Sequence, residues 1–471
     1  MRTAILALAV LGFVAGCGGE APAPGVDATA TAVADPAVER VVAEWPLPAM
    51  LPGSALPDLV AVEGGRLLLS WTNSQPGRRH IFQFSSYDLA GARWETAPTT
   101  IAVGNSMFVN WADTAHIMAT ADGALWAHWL QKNGEAPYAY DVVLAVSRDG
   151  GRRWSEPVRP HADGTQTEHG FVSMWPRPQG GLGIAWLDGR NTAGAHQADG
   201  GPAAANVAAG DADAAAGGSA DDAGGPPVQG ETHAHPAATH GAGAMTLRAA
   251  SFDAALRGSG EVEIDASVCD CCQTSAAVTA RGPLLVYRGR AEGEVRDIMA
   301  TRLDGDAWTA PKPVHADGWV MPACPVNGPA VAARGESAVV AWYTAAEGDV
   351  PQVRVAHSAN AGDSFAAPVV LDAGEAVHGR VAVALDQAQA WILWLREDGD
   401  GQSLWLSRRS PDLATEYQRL EVARLAGRGR GTGFPQMAVA GGVAHLVWTD
   451  VEDGVASLHG ARIVAPRGTA P

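Results

Sequence analysis

The chain is predicted to be all-β, a β-propeller of four-stranded blades, on three observations. First, one phrase recurs: a short apolar run, a Gly-containing turn, then four or five apolar residues closing on Trp or Tyr. The closing aromatics are Trp71, Trp129, Trp186, Tyr287, Trp342, Trp394 and Trp448. Five of the six gaps between them span about 52 to 58 residues, a period that marks radial or solenoid arrays. Second, short apolar stretches alternate with Gly-, Asp- and Pro-rich turns, as all-β architectures require. Third, no long stretch beyond the first residues carries a helical period.

The elements follow in order. Arg2, the apolar stretch Ala4 to Ala15 and the sequence Val14-Ala15-Gly16-Cys17 read as a signal peptide over 1–17 ending in a bacterial lipobox. The apolar part is too short for a membrane span, so acylation of Cys17 would tether the chain by lipid. Gly18 after the cysteine resembles the outer-membrane address of Gram-negative lipoproteins. The expected location is therefore the cell envelope, facing periplasm or cell surface. Residues 18–38 are rich in Ala, Pro, Thr and Gly and read as a flexible linker. No later apolar segment is long enough to cross a bilayer. A formal net charge of −18 disfavours nucleic acid and anionic lipid as partners, and nothing in the pattern asks for an oligomer.

Residues 39–465 form the predicted propeller. Seven phrases can be counted, with six blades possible if one phrase is a decorated loop. The seventh phrase stops short of a fourth strand, while Val38 to Trp45 is a strand with no blade of its own. The N-terminal strand is therefore expected to complete the last blade and close the ring, removing an exposed sheet edge. The long gap between Trp186 and Tyr287 holds an Ala/Gly/Asp-rich insertion over 191–244, expected to be disordered. It carries His196, His233, His235 and His240, a tract able to bind metal weakly.

Ser147-Arg148-Asp149-Gly150-Gly151-Arg152-Arg153-Trp154 fits the pattern Ser-x-Asp-x-Gly-x-x-Trp, with a looser copy from Ser358 to Phe365 and a degenerate one at Ser86, Asp88 and Trp94. A short polar side chain can hold nearby backbone, Gly accepts positive φ, and the aromatic packs between sheets. Here the chain resembles the sialidase-like Asp-box (BNR repeat) propellers. In that family the box is structural and lies away from the active face, so Asp149 is assigned no catalytic role.

In a propeller, the loops before each first strand and after each second strand emerge together. That brings Asp188, Arg190, Arg288, Arg290 and Arg380 towards His169, Asn327 and His378. Arg and Asp around such a mouth suit a small anionic or glycan ligand, because guanidinium pairs bidentately with carboxylate. The sialidase resemblance implies a carboxylate clamp from Arg190, Arg288 or Arg290, and Arg380. It also implies Tyr287 with Glu294 as the nucleophile pair and Asp188 as acid. The Arg-Ile-Pro that sialidases carry near the first phrase is missing, which leaves the exo-α-sialidase activity without its specifying motif.

Four cysteines remain: Cys269, Cys271 and Cys272 before the fourth phrase, and Cys324 before the fifth. Equivalent places in adjacent blades put Cys324 within reach of the others. Structural disulfides, a zinc or copper(I) thiolate site and a redox-active pair are all open readings. The arrangement, with Tyr287-Arg288-Gly289-Arg290, resembles an uncharacterised group of bacterial sialidase-like lipoproteins. Two functions follow: recognition, with possible hydrolysis, of a glycan or other small anion, or a non-enzymatic envelope protein with a metal-binding or protein-docking face.

Overall fold

A computed structural model describes residues 41–74, 79–178, 180–193 and 243–464. Cys17, the linker 18–38 and the histidines of the insertion lie outside them. Seven antiparallel sheets follow one another along the chain. Their first strands are Ser54–Val62, the pair Met107–Phe108 and His116–Ala119, His169–Pro176, Ser275–Thr279, Ala330–Arg334, Val377–Leu385 and Gln436–Ala440. Each first strand packs against the first strand of the next sheet, all the way round. The molecule is a seven-bladed propeller.

The periodic aromatics explain the repeat. Seven apolar clusters fill the seven gaps between neighbouring sheets, and each closing aromatic lands in a different one. Trp71, Trp186, Tyr287 and Trp394 are fully enclosed. A wedge-shaped gap between two twisted sheets needs one large flat side chain, and truncating such a residue costs roughly 3–5 kcal/mol. The spacing seen in the sequence is thus the length of one blade.

The ring closes as expected. Val42–Glu44 pairs with Val455–Val464, with Val42 opposite Ile463 and Glu44 opposite Ala461. The Trp45 N–H then donates to the Gly460 carbonyl at 3.0 Å. The best Asp-box copy is also a hairpin device. Gly151 N–H donates to Ser147 Oγ at 2.9 Å and Arg153 N–H to Asp149 Oδ1 at 2.9 Å. Gly151 has φ +86°, and a Cβ there would lie 2.3 Å from Phe84. Ser358, Asn360 and Gly362 repeat this bonding.

A second device is invisible in the sequence: a belt of hydrogen bonds crossing every blade junction. Asp58 accepts from Ile117 N–H, Asp113 from Phe171 N–H, and the Phe171 carbonyl from Thr274 Oγ1. Gln273 accepts from Gly328 N–H, Asn327 from Arg380 N–H, and the Gly433 carbonyl from the Arg380 guanidinium. Thr449 Oγ1 accepts from Leu56 N–H and completes the circle. Leu56, Phe171 and Arg380 are left-handed (φ 57°, 50° and 52°) and sit where the strand register shifts. At these bulges the strained backbone turns an N–H out of its own sheet towards the neighbouring blade.

Candidate functional site

The arginines expected to clamp a ligand are already engaged by groups of the protein itself, Arg288 and Arg380 in its interior and Arg190 and Arg290 in partly exposed ion pairs. Arg288 is 2% exposed and donates to the carbonyls of Arg296, Asn327 and Tyr343. Arg380 is 3% exposed and donates to Thr432 and to the Gly429 and Gly433 carbonyls. Arg190 grips Asp188 with two bonds of 2.8 and 2.7 Å and reaches Glu261. Arg290 is paired to Glu294. The nucleophile pair is not formed either: Tyr287 is fully enclosed and its hydroxyl donates to Asp265 at 2.7 Å, while Glu294 holds Arg290 and Arg296. Burial and Asp265 push the Tyr287 phenol well up. Asp188 is 0% exposed, and Arg190 and Trp186 occupy its oxygens. Asn327 belongs to the belt, and burial with Arg380 nearby holds His378 down to about 4, hence neutral.

His169 is buried in a cluster between blades two and three. Its ring stacks on His161 at 3.9 Å and 2°. Nδ1 faces the Tyr140 and Thr167 carbonyls, so it carries hydrogen, and Nε2 faces Asp163 at 3.3 Å. Asp141 and Asp188 complete the group, with Arg159 and Arg190 supplying countercharge. The donor atoms are close enough to share an ion. The two arginines instead make the group an ion-paired brace.

The cysteines do converge. Cys271 and Cys324 form a disulfide, while Cys269 and Cys272 are buried free thiols with sulfurs 2.7 Å apart. The disulfide takes two sulfurs out of the thiolate set that a zinc or copper(I) site would need.

A different constellation occupies the loop face. Tyr140 Oη lies 3.0 Å from Asp113 Oδ2 and 2.7 Å from Glu168 Oε1. One hydroxyl has one proton to give, so the second contact requires a proton on a carboxyl. Burial pushes Asp113 up to about 7, against hydrogen bonds from Phe171 N–H and Tyr140. Burial likewise pushes Glu168 up to about 8, with Asp270 and Asp113 adding to it and Tyr140 opposing. The set thus stores a proton at neutral pH, as a general acid must. Phe108 stacks on Tyr140 at 4.1 Å and fixes its ring. Gly170 makes room, since a Cβ there would lie 1.9 Å from Asp113 Oδ2.

Around this set stand aromatic and basic groups. Trp111 and Phe434 stack at 5.9 Å and 13°, with the buried Arg380 guanidinium 4.8 Å from Trp111. The exposed Arg430 lies 5.8 Å from the same ring, and Tyr138 is 38% exposed. The prediction missed all of these except Arg380. The available signal was that Asp113 and Glu168 precede inner-strand segments, and that Glu168 adjoins His169, which was singled out.

No known family profile matches the sequence, and no curated protein does. Similar solved structures include a protein of unknown function from Dyadobacter fermentans, at 12% identity and TM-score 0.45, covering 90% of this chain and 100% of that one. The Hadza microbial sialidase Hz136 shares 14% identity at TM-score 0.38, over 73% of this chain and 63% of that one. Polysaccharide lyase Uly1 shares 8% at TM-score 0.46, over 87% and 90%.

Proposed function

We propose that this chain is a lipid-tethered envelope propeller that binds an acidic glycan on its loop face and cleaves it with Glu168 as proton donor. The carrying observation is the Asp113–Tyr140–Glu168 set, in which two carboxyls and one hydroxyl cannot be satisfied without an extra proton. Glu168 is only partly buried and stands beside the exposed Tyr138. Sugar rings present C–H faces that stack on aromatics, for which Trp111, Phe434 and Tyr138 are placed. Arg430, exposed beside Trp111, rather than the enclosed Arg288 and Arg380, is the cation we assign to a sugar carboxylate. The tether rests on the lipobox-like sequence ending at Cys17.

The test is a panel of aryl glycosides and acidic polysaccharides, with binding and turnover followed separately. Glu168→Gln should lower turnover by about 100-fold or more while binding persists. Absence of any glycan binding, or a Gln variant as fast as wild type, would refute the proposal. Incorporation of labelled palmitate, abolished by Cys17→Ser, tests the anchor.

A further inference from the structure

The four cysteines form two layers. The Cys271–Cys324 disulfide is partly exposed, and Cys324 lies against Asp270 near the mouth. Beneath it, Cys269 and Cys272 are each 1% exposed. Cys269 Sγ touches both layers, 2.7 Å from Cys272 Sγ and 3.8 Å from Cys271 Sγ. A bracing pair needs no third sulfur in contact, and a buried dithiol needs no disulfide above it. Here one sulfur is in reach of both.

We propose that this cluster is a thiol–disulfide relay, in which the enclosed Cys269–Cys272 dithiol exchanges two electrons with the surface Cys271–Cys324 disulfide through Cys269. The charge distribution sets which of the two inner thiols ionises first. Burial opposes a thiolate at Cys272, but the Cys269 thiol, the Arg288 and Arg296 guanidiniums and the Asn327 N–H outweigh it and bring that thiol down. Burial and its neighbours push Cys269 up, so Cys272 is the first of the two to lose its proton. Arg296 also has buried Nε and Nη1 atoms without a partner, next to where negative charge would develop.

The exchange balances without an outside reagent. From the state in which Cys272 is ionised, Cys272 accepts the Cys269 proton, and the Cys269 thiolate attacks Cys271 Sγ. The Cys271–Cys324 bond breaks, and Cys324 leaves with the electron pair. Cys272 then loses its proton, which Cys324 takes up, and attacks Cys269. This forms Cys269–Cys272 and releases Cys271 as thiolate. The inner pair is oxidised, the outer pair is reduced, and one proton and one negative charge are conserved. Exchange through such a mixed disulfide is the ordinary route of thiol chemistry. An external thiol or disulfide would meet only the outer layer.

The full chain, equilibrated in glutathione buffers of graded ratio, is quenched in acid, alkylated and mapped by peptide mass. Chains with one disulfide should divide between two forms, within about tenfold of each other. One has alkylated Cys269 and Cys272 with the two peptides crosslinked. The other has alkylated Cys271 and Cys324 with an internal Cys269–Cys272 bond. In Cys269→Ser no linkage of Cys272 to Cys271 or Cys324 should form, because the route runs through Cys269. A single disulfide position at every ratio would overturn the relay. So would two disulfides that are reduced independently, with no Cys269–Cys271 linkage ever trapped. The wild-type map decides the matter even if the variant does not fold.

Discussion

Glu168→Gln should flatten the dependence of stability on pH. In the folded protein Glu168 titrates at about 8, against a model-peptide value of 4.5, so the native state holds a proton that the unfolded chain has released. Between these values the folded state binds more protons, and stability must fall as pH rises. The contribution is fully present below about pH 4.5 and gone above about pH 8. At 1.36 kcal/mol per pKa unit, the ceiling is roughly 5 kcal/mol. Asp113 titrates in the same set, raised to about 7, so the two share macroscopic steps and their contributions do not add. Gln keeps the shape and can donate to Tyr140, but has no proton to lose. Urea unfolding of wild type and variant at intervals between pH 5 and 8 reads this directly. Wild type should lose a few kcal/mol across the range, and the variant markedly less. Parallel curves would refute the proton-sharing argument.

Three other outcomes are expected. Replacing Cys271 and Cys324 together by Ser opens a link between residues 53 apart in sequence, which in the chain-entropy account costs roughly 4 kcal/mol, measurable by denaturant titration. Gly170→Ala drives a methyl into Asp113, displacing the acceptor of the Phe171 N–H, and should cost roughly 1–3 kcal/mol by thermal unfolding. Trp111→Ala should weaken glycan binding about tenfold or more by calorimetry, a loss of at least ~1.4 kcal/mol, with the thermal midpoint used to separate binding from stability.

The fold was legible because one large aromatic per blade is a packing necessity, and a necessity repeated seven times leaves a period. The belt was not, because Asp58, Asn327 and Thr449 are ordinary polar residues whose partners lie far away in the chain. The same blindness affected the site. Arg288 and Arg380 read as ligand-binding because arginine usually stays at the surface. At a bulged junction, however, main-chain carbonyls turn out of the ladder and need donors, and a guanidinium supplies several at once. Tyr140, Asp113 and Glu168 come from three separate segments and acquire meaning only from the proton they share. Proximity of Cys324 to the other cysteines followed from blade equivalence, but which sulfurs bond depended on side-chain direction.

The pairing of Val42–Glu44 with Val455–Val464 imposes an order in time. The strand synthesised early has no partner until nearly the whole domain exists, because its mate lies some four hundred residues downstream. Through that interval Val42–Glu44 is an unpaired strand, and Val455–Val464 in turn presents an open edge until the two meet, which invites association with other chains. Bringing such distant segments together is entropically slow. Formation of the seventh blade is therefore the natural commitment step of folding, and the stage at which a chaperone would matter most.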